Sequence, residues 1–348
     1  MRRNHVGGYR GRKTGRDFLK YIILALLLVV AVLAGLLLFG GEKPPREEQE
    51  QQGQEQQQTP TQPSEQPTEP TELPTEPEPE VVYMAAIGVD AAQVLDGSWK
   101  SAVEQAGANA VVLDMKPDNG VLNWNTAQTL SISAGAQNNT EGLNDRLRQL
   151  NDGDVYTVAR MSCFRDELTA NLYECCIHSN SGYRWQDFGK VHWVSPAHSG
   201  VQDNLVGLAV ELAELGFDEI LLDYCGYPRN GSGEMGWIKR GPVYDLENLD
   251  VVVSAFLSKM EKALEPYGTR LAIRTGADVV ANDGDLTGVT GAVLEQHAER
   301  IWMSEVDTDA PLAEVLSLAG VTRVGERLVI ETAELVPEGT WEQAVLNF

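Results

Sequence analysis

Residues 216–228, GFDEILLDYCGYP, constrain the fold of this chain more than any other stretch. Ile220, Leu221 and Leu222 form a short apolar run after a glycine turn. That is the pattern of a strand buried on both faces of a parallel sheet. The run ends in Asp223 and Tyr224, and Gly226 and Pro228 stop it. An unpartnered buried carboxylate is costly, and the carboxyl ends of parallel strands are where (β/α) barrels carry their chemistry. Asp223 is therefore the first candidate for function.

The same kind of run recurs. Residues 83–89, 109–115, 155–161, 270–274, 300–303 and 327–331 also read as strands. Between and after them, 99–106, 142–150, 203–215, 249–264, 289–297, 311–318 and 341–346 read as helices, several with apolar residues three and four apart. Repeated βα units imply a parallel sheet with right-handed crossovers. Seven strands are clear, and 321–324 is the candidate for an eighth. The expected fold is α/β, a (β/α)8-like TIM barrel, either closed or incomplete. No glycine-rich phosphate loop follows the first strand, which argues against an open dinucleotide-binding sheet.

The first eighty residues are different material. Residues 1–20 carry Arg2, Arg3, Arg10, Arg12, Lys13, Arg16 and Lys20 against the single acid Asp17. Residues 21–39 are apolar and uncharged. At 1.5 Å per residue such a helix reaches about 28 Å, close to the roughly 30 Å of a hydrocarbon core. The basic flank predicts a cytoplasmic N-terminus, a single pass through the cell membrane and an extracellular C-terminal domain. A cleaved signal peptide is the competing reading, but the run is long for one and no A-x-A-like site follows. Residues 40–80 are mostly Glu, Gln, Pro and Thr, which cannot bury enough surface to fold and instead make an extended, disordered stalk. Residues 81–348 form the barrel domain.

Charge narrows the ligand. Seven bases against one acid before the apolar run, and two against eleven in the stalk, leave −21 of the formal −24 on the folded part. A domain that acidic repels nucleic acid and suits neutral or cationic ligands. Cys163, Cys175, Cys176 and Cys225 do not make a zinc-site spacing. Cys163 and Cys225 fall just past the ends of neighbouring strands, where either a bridge or two buried thiols fits; Cys175 and Cys176 are adjacent and do not pair with each other. His192 and His198 flank one loop without a third ligand, so no metal is expected, and no cofactor either.

Four segments together carry a resemblance: NAVVLDMKPDNG (109–120), VYTVARMSCFRDELTA (155–170), WVSPA (193–197) and GFDEILLDYCGYPRNG (216–231). In this order they resemble the glycoside-hydrolase-like TIM-barrel family of bacterial domains of unknown function. The resemblance implies a carboxylate nucleophile or base at Asp223, with a partner acid late in strand order at Glu305 or Glu331, Glu305 preferred. Such pairs stand roughly 5–5.5 Å apart in retaining enzymes and 6.5–9.5 Å apart in inverting ones. Two family features are missing. Gly226 stands where an arginine is usual, with Arg229 nearby to substitute, and the Pro-Met-x-Tyr-Pro-like run after the sixth strand is replaced by IWMSEVDTDA.

Other strand ends complete the candidate site. Asp114 and Lys116 end the second strand and either pair with each other or hold sugar hydroxyls. Arg160 ends the third and either binds substrate or neutralises Asp114 or Asp223. Arg274 and Trp302 lie near the ends of the fifth and sixth. Tyr224 and Trp193 offer apolar faces with polar tips, suited to sugar rings. Asp218 and Glu219 precede their strand and belong to the stability face. Two functions follow as expectations: a membrane-anchored glycoside hydrolase using paired carboxylates on an extracellular or envelope polysaccharide or oligosaccharide, or an inactive glycan-binding barrel displayed at the surface.

Overall fold

A computed structural model describes residues 82–304, 311–337 and 339–347. The chain divides into two units, Met1–Glu76 and Pro77–Phe348, and every described residue belongs to the second. The basic segment, apolar span and stalk expected over residues 1–80 lie outside the described residues. Among the described residues, no helix is long and apolar enough to cross a membrane.

Eight parallel strands close into a barrel in sequence order: β1 Ala85–Val89, β2 Ala110–Lys116, β3 Tyr156–Ser162, β4 Glu219–Asp223, β5 Arg270–Arg274, β6 Arg300–Ser304, β7 Leu328–Glu331 and β8 Glu342–Val345. Each strand but the last is joined to the next parallel strand by a crossover, as repeated βα units require. One apolar layer lies between sheet and helices. Ile220 and Leu222 of β4 point into it, against helices such as Ser199–Glu214 and Leu249–Leu264. The second helix buries Leu249, Val253, Phe256, Leu257, Met260 and Leu264, a three-and-four spacing that makes one stripe. The other layer fills the barrel itself: Ala86, Ala110, Val112, Val158, Leu221, Ala272, Trp302, Val329 and Ala344, with Met84. The four alanines make room for the Trp302 indole, which is fully buried.

The chain end departs from the sequence reading. Residues 341–346 were expected to be helical, but Glu342–Val345 is the closing strand, paired with both β1 and β7. Residues 321–324 are not a strand; a short helix, Val324–Arg327, begins there. The physical reason is that four-residue patterns are ambiguous in period. Without β8, two barrel edges would be left with unpaired backbone groups. The helix expected at 203–215 begins earlier, at Ser199, because the His198 ring nitrogen accepts the Val201 N–H and caps it.

Candidate active site

The alternation of strand side chains builds the site. Two residues past each interior apolar residue, on the same inward face, comes a residue at the carboxyl-end mouth. Val112 is followed in this way by Asp114, Val158 by Arg160, Leu221 by Asp223, Ala272 by Arg274, Trp302 by Ser304 and Val329 by Glu331. The mouth is thus a ring of charge on top of an apolar plug.

Asp223 is its centre. One carboxylate oxygen, Oδ2, accepts from Arg160 Nε at 3.0 Å, Arg160 Nη2 at 2.7 Å and Arg274 Nη1 at 2.8 Å. The other, Oδ1, accepts the Tyr224 N–H at 2.9 Å. Burial would push this carboxyl up, but the two guanidiniums outweigh it and hold Asp223 below the ordinary carboxylate range. Arg274 also grips Glu331 with a two-pronged contact, Nε to Oε1 and Nη2 to Oε2, each 2.6 Å. One planar guanidinium therefore touches both carboxylates. Arg160 extends the network to Asp114 at 2.8 Å and Asp118 at 3.2 Å. Asp114 moves the opposite way from Asp223. Burial pushes it up, and the Asp118 and Asp223 charges add to burial against the pull of Arg160.

A cavity of about 410 Å³ opens beside this ring. Asp223, Glu331, Arg274, Tyr224 and Trp193 all line it, with Arg165, Asp187, Arg229 and Ser304. Tyr224 sits at φ +47°, in the left-handed region that non-glycine residues seldom adopt. That turn directs the ring to the cavity, where it meets Trp193 edge-on at 5.7 Å between centroids and Arg165 at 5.3 Å. Arg165 is itself anchored by Asp187 at 2.7 Å and by Asp118, and the Trp193 indole donates to Asp187 at 3.1 Å.

Not every residue singled out in the sequence reaches the cavity. Arg160 lies behind Asp223. Asp114 lines a neighbouring hollow with Asp90 and Asn123. Lys116 does not meet Asp114: the register shifts between them, and the ammonium is buried against Asp166 at 2.8 Å and the Ser162 carbonyl at 2.6 Å. Trp302 sits deep in the barrel, its indole N–H donating to Glu219 at 2.8 Å, in the layer nearest the opposite end. Glu305 lies outside the described residues. Asp118, Arg165 and Asp187 went unnoticed in the sequence. The first two stand in the quoted motifs, but nothing in their spacing shows that the loops after β2 and β3 meet. All four cysteines are free and buried, and burial pushes the Cys225 thiol up to about 12. Among the described residues, no group of three or more His, Cys, Asp or Glu side chains is disposed to hold a metal ion.

Chemically, the mouth presents two carboxylates, one of them held ionised, at a cavity walled by aromatic rings and arginines. Comparison with known proteins places this arrangement in context. No curated protein matches the chain. A glycoside hydrolase domain, that of PgaB (BpsB) from Bordetella bronchiseptica, superposes with a TM-score of 0.50 at 12% identity, covering 72% of this chain and 84% of that one. A hypothetical protein from Ruminiclostridium thermocellum gives a TM-score of 0.45 at 23% identity, covering 54% of this chain and 96% of that one. The first of these is a likeness of fold alone. The family model described as "Putative glycosyl hydrolase domain" matches residues 81–307, from before β1 to just past β6, and the chain belongs to that family.

Proposed function

We propose that the protein is a membrane-tethered glycoside hydrolase whose substrate enters the cavity at the carboxyl-end mouth of the barrel. The observation that carries this reading is that Arg274 donates to Asp223 and Glu331 at once. A single guanidinium touching both carboxylates sets them at one mouth facing the same cavity, as a glycosidase pair requires. In this reading Asp223, kept anionic by Arg160 and Arg274, is the nucleophile or base. Glu305 follows Ser304, which lines the cavity, and is the preferred proton donor; Glu331 is the alternative, once substrate displaces Arg274 from it. Tyr224 and Trp193 supply ring faces for a sugar. The acidic domain favours neutral or cationic glycans. The apolar span over 21–39 holds the domain outside the cell on its stalk, and protease added to intact cells is expected to remove it; full protection until lysis reverses that orientation.

A second reading has its own observation. Asp223, Glu331 and Asp187 are each ion-paired to an arginine, so no described acid in the cavity stands ready to donate a proton. That favours a binding barrel without turnover. Hydrolysis of a glycan panel separates the two, with Asp223→Asn as the control. The hydrolase reading expects turnover to fall by several orders of magnitude in the variant, while affinity for the same glycan persists. Near wild-type turnover by Asp223→Asn overturns the assignment. Binding without turnover by the wild type supports the binding barrel.

A further inference from the structure

The loops above β3 and β4 form an arm that the cavity does not explain. Residues 177–188 and 232–239 are laced together by backbone bonds. Phe188 N–H donates to the Ser232 carbonyl at 2.8 Å, Asn180 N–H to Trp237 at 2.7 Å and Lys239 N–H to His178 at 2.9 Å. The Trp185 indole adds a bond to the Glu234 carbonyl at 3.2 Å. One end of the arm is at the cavity, where Asp187 and Ser232 both contribute to the wall. Along it, three large rings are left open: Phe188 is 62% exposed, Trp237 63% and Tyr183 75%. Their aromatic neighbours Trp185, Trp193, Tyr227 and Tyr244 are buried, so the arm's own core is already supplied. The pairing sets an order. Phe188 stands beside the cavity, while Trp237, opposite Asn180, and Tyr183, bonded back to Ser179 at 2.7 Å, lie farther out.

We propose that this arm is an extended glycan-binding track, with Phe188, Trp237 and Tyr183 as stacking platforms for successive sugar units of a long, uncharged chain. The proposal rests on the glycan-acting reading of the cavity and gives its substrate a length. A volume of about 410 Å³ is near the lower end of ligand pockets, roughly 300 to 1,000 Å³, so only a few sugar rings fit inside. The rest of a polysaccharide has to leave over the rim, and the arm is contiguous with it. Rigid aromatic rings present large apolar area at little entropic cost, which suits the C–H face of a pyranose. The −21 left on the folded part disfavours a polyanion near the domain as a whole, and the two arm segments are themselves balanced, Arg184 and Lys239 against Asp187 and Glu234.

The test uses the full chain in detergent micelles and calorimetric titration with two-unit and six-unit oligosaccharides of the chitin, cellulose and mannan series, together with the soluble polysaccharides. In the series that binds, the six-unit sugar is expected to bind about tenfold tighter or more than the two-unit one. The double variant Phe188→Ala, Trp237→Ala is expected to lose that gain while keeping the two-unit affinity and the thermal midpoint. Trp237→Phe, which keeps a ring, retains most of it. Indole emission should shift more on binding the six-unit sugar than the two-unit one in the wild type, and that excess should be lost in Trp237→Phe, which keeps Trp193 in the cavity wall. A length gain that survives in the double variant, or wild-type affinity independent of length, overturns the track and leaves the cavity reading standing. Failure of the wild type to bind any glycan overturns the glycan reading itself, and the track with it. Concentration-dependent dimerisation abolished by the double variant would assign the rings to a second copy of the chain and also overturn the proposal.

Discussion

Asp223→Asn at the mouth of the barrel has a stability cost that follows from its contacts. The carboxylate accepts three guanidinium N–H bonds on one oxygen and a backbone N–H on the other. Removing one partner of a buried ion pair costs about 3–5 kcal/mol. Here the arginines are not abandoned: Arg160 keeps Asp114 and Asp118, and Arg274 keeps Glu331. Asparagine also keeps one acceptor oxygen of the same shape. The loss should therefore fall at or below the lower end, about 2–3 kcal/mol at pH 7, which for a domain of this size lowers the thermal midpoint by roughly 5–10 °C. The sign of the pH dependence follows from the lowered Asp223 pKa. A carboxyl whose folded value is below its unfolded one contributes fully above the unfolded pKa and loses that contribution as pH falls through the folded value. The gap between wild type and variant should be constant from pH 7 to about 5 and close only at acid pH, below roughly 4. Parallel thermal melts by circular dichroism from pH 7 to 2.5 measure it. No gap at pH 7, or a gap of unchanged size down to pH 2.5, refutes the claim that the ionised carboxylate holds the two arginines.

Three further outcomes are expected. Gly226→Arg, which would write in the arginine usual in the resembling family, should destabilise and not activate, because a Cβ there runs into the Thr287 carbonyl oxygen that already accepts the Tyr227 N–H; a cost of about 1–3 kcal/mol in urea unfolding is expected, and a stable, more active variant contradicts it. Lys116→Met leaves Asp166 buried without its ammonium and should cost about 3–5 kcal/mol, partly recovered by adding Asp166→Leu; equal stability of the single and double variants argues against the pair. The four thiols should stay unlabelled by a thiol reagent at pH 8 in the native protein and react together in guanidinium, since all are buried and burial raises them; fast native labelling of Cys163 or Cys225 would show that the mouth opens.

Much of the barrel was legible because parallel strands covered on both faces are apolar runs, and because helices on the outer layer bury a single stripe. The run Ile220–Leu222 and the stripe from Leu249 to Leu264 read the same way in sequence and in three dimensions. The last strand was not legible. Glu342–Val345 has two buried and two half-buried residues, and only the open edges of β1 and β7 decide that it is extended. Trp302 shows the same limit on a side chain. Its place near a strand end suggested the rim, but it stands one inward step below Ser304, where neighbouring alanines leave space for it.

What the sequence by itself determined is several of the strand-end residues that share the mouth, though it placed Lys116 and Trp302 there too. Period-two alternation carries each interior apolar residue to a polar one two positions on, and Asp223, Arg274 and Glu331 follow from that rule without coordinates. Only the tertiary structure decided which of them touch. Among the described residues Arg160 is shared by three acids and Arg274 by two, Lys116 turns away to Asp166, and Asp118, Arg165 and Asp187 join from loops distant in sequence. Those pairings depend on barrel register and on how long loops fold over the mouth. Both are set by closure of the whole sheet, which no local pattern encodes.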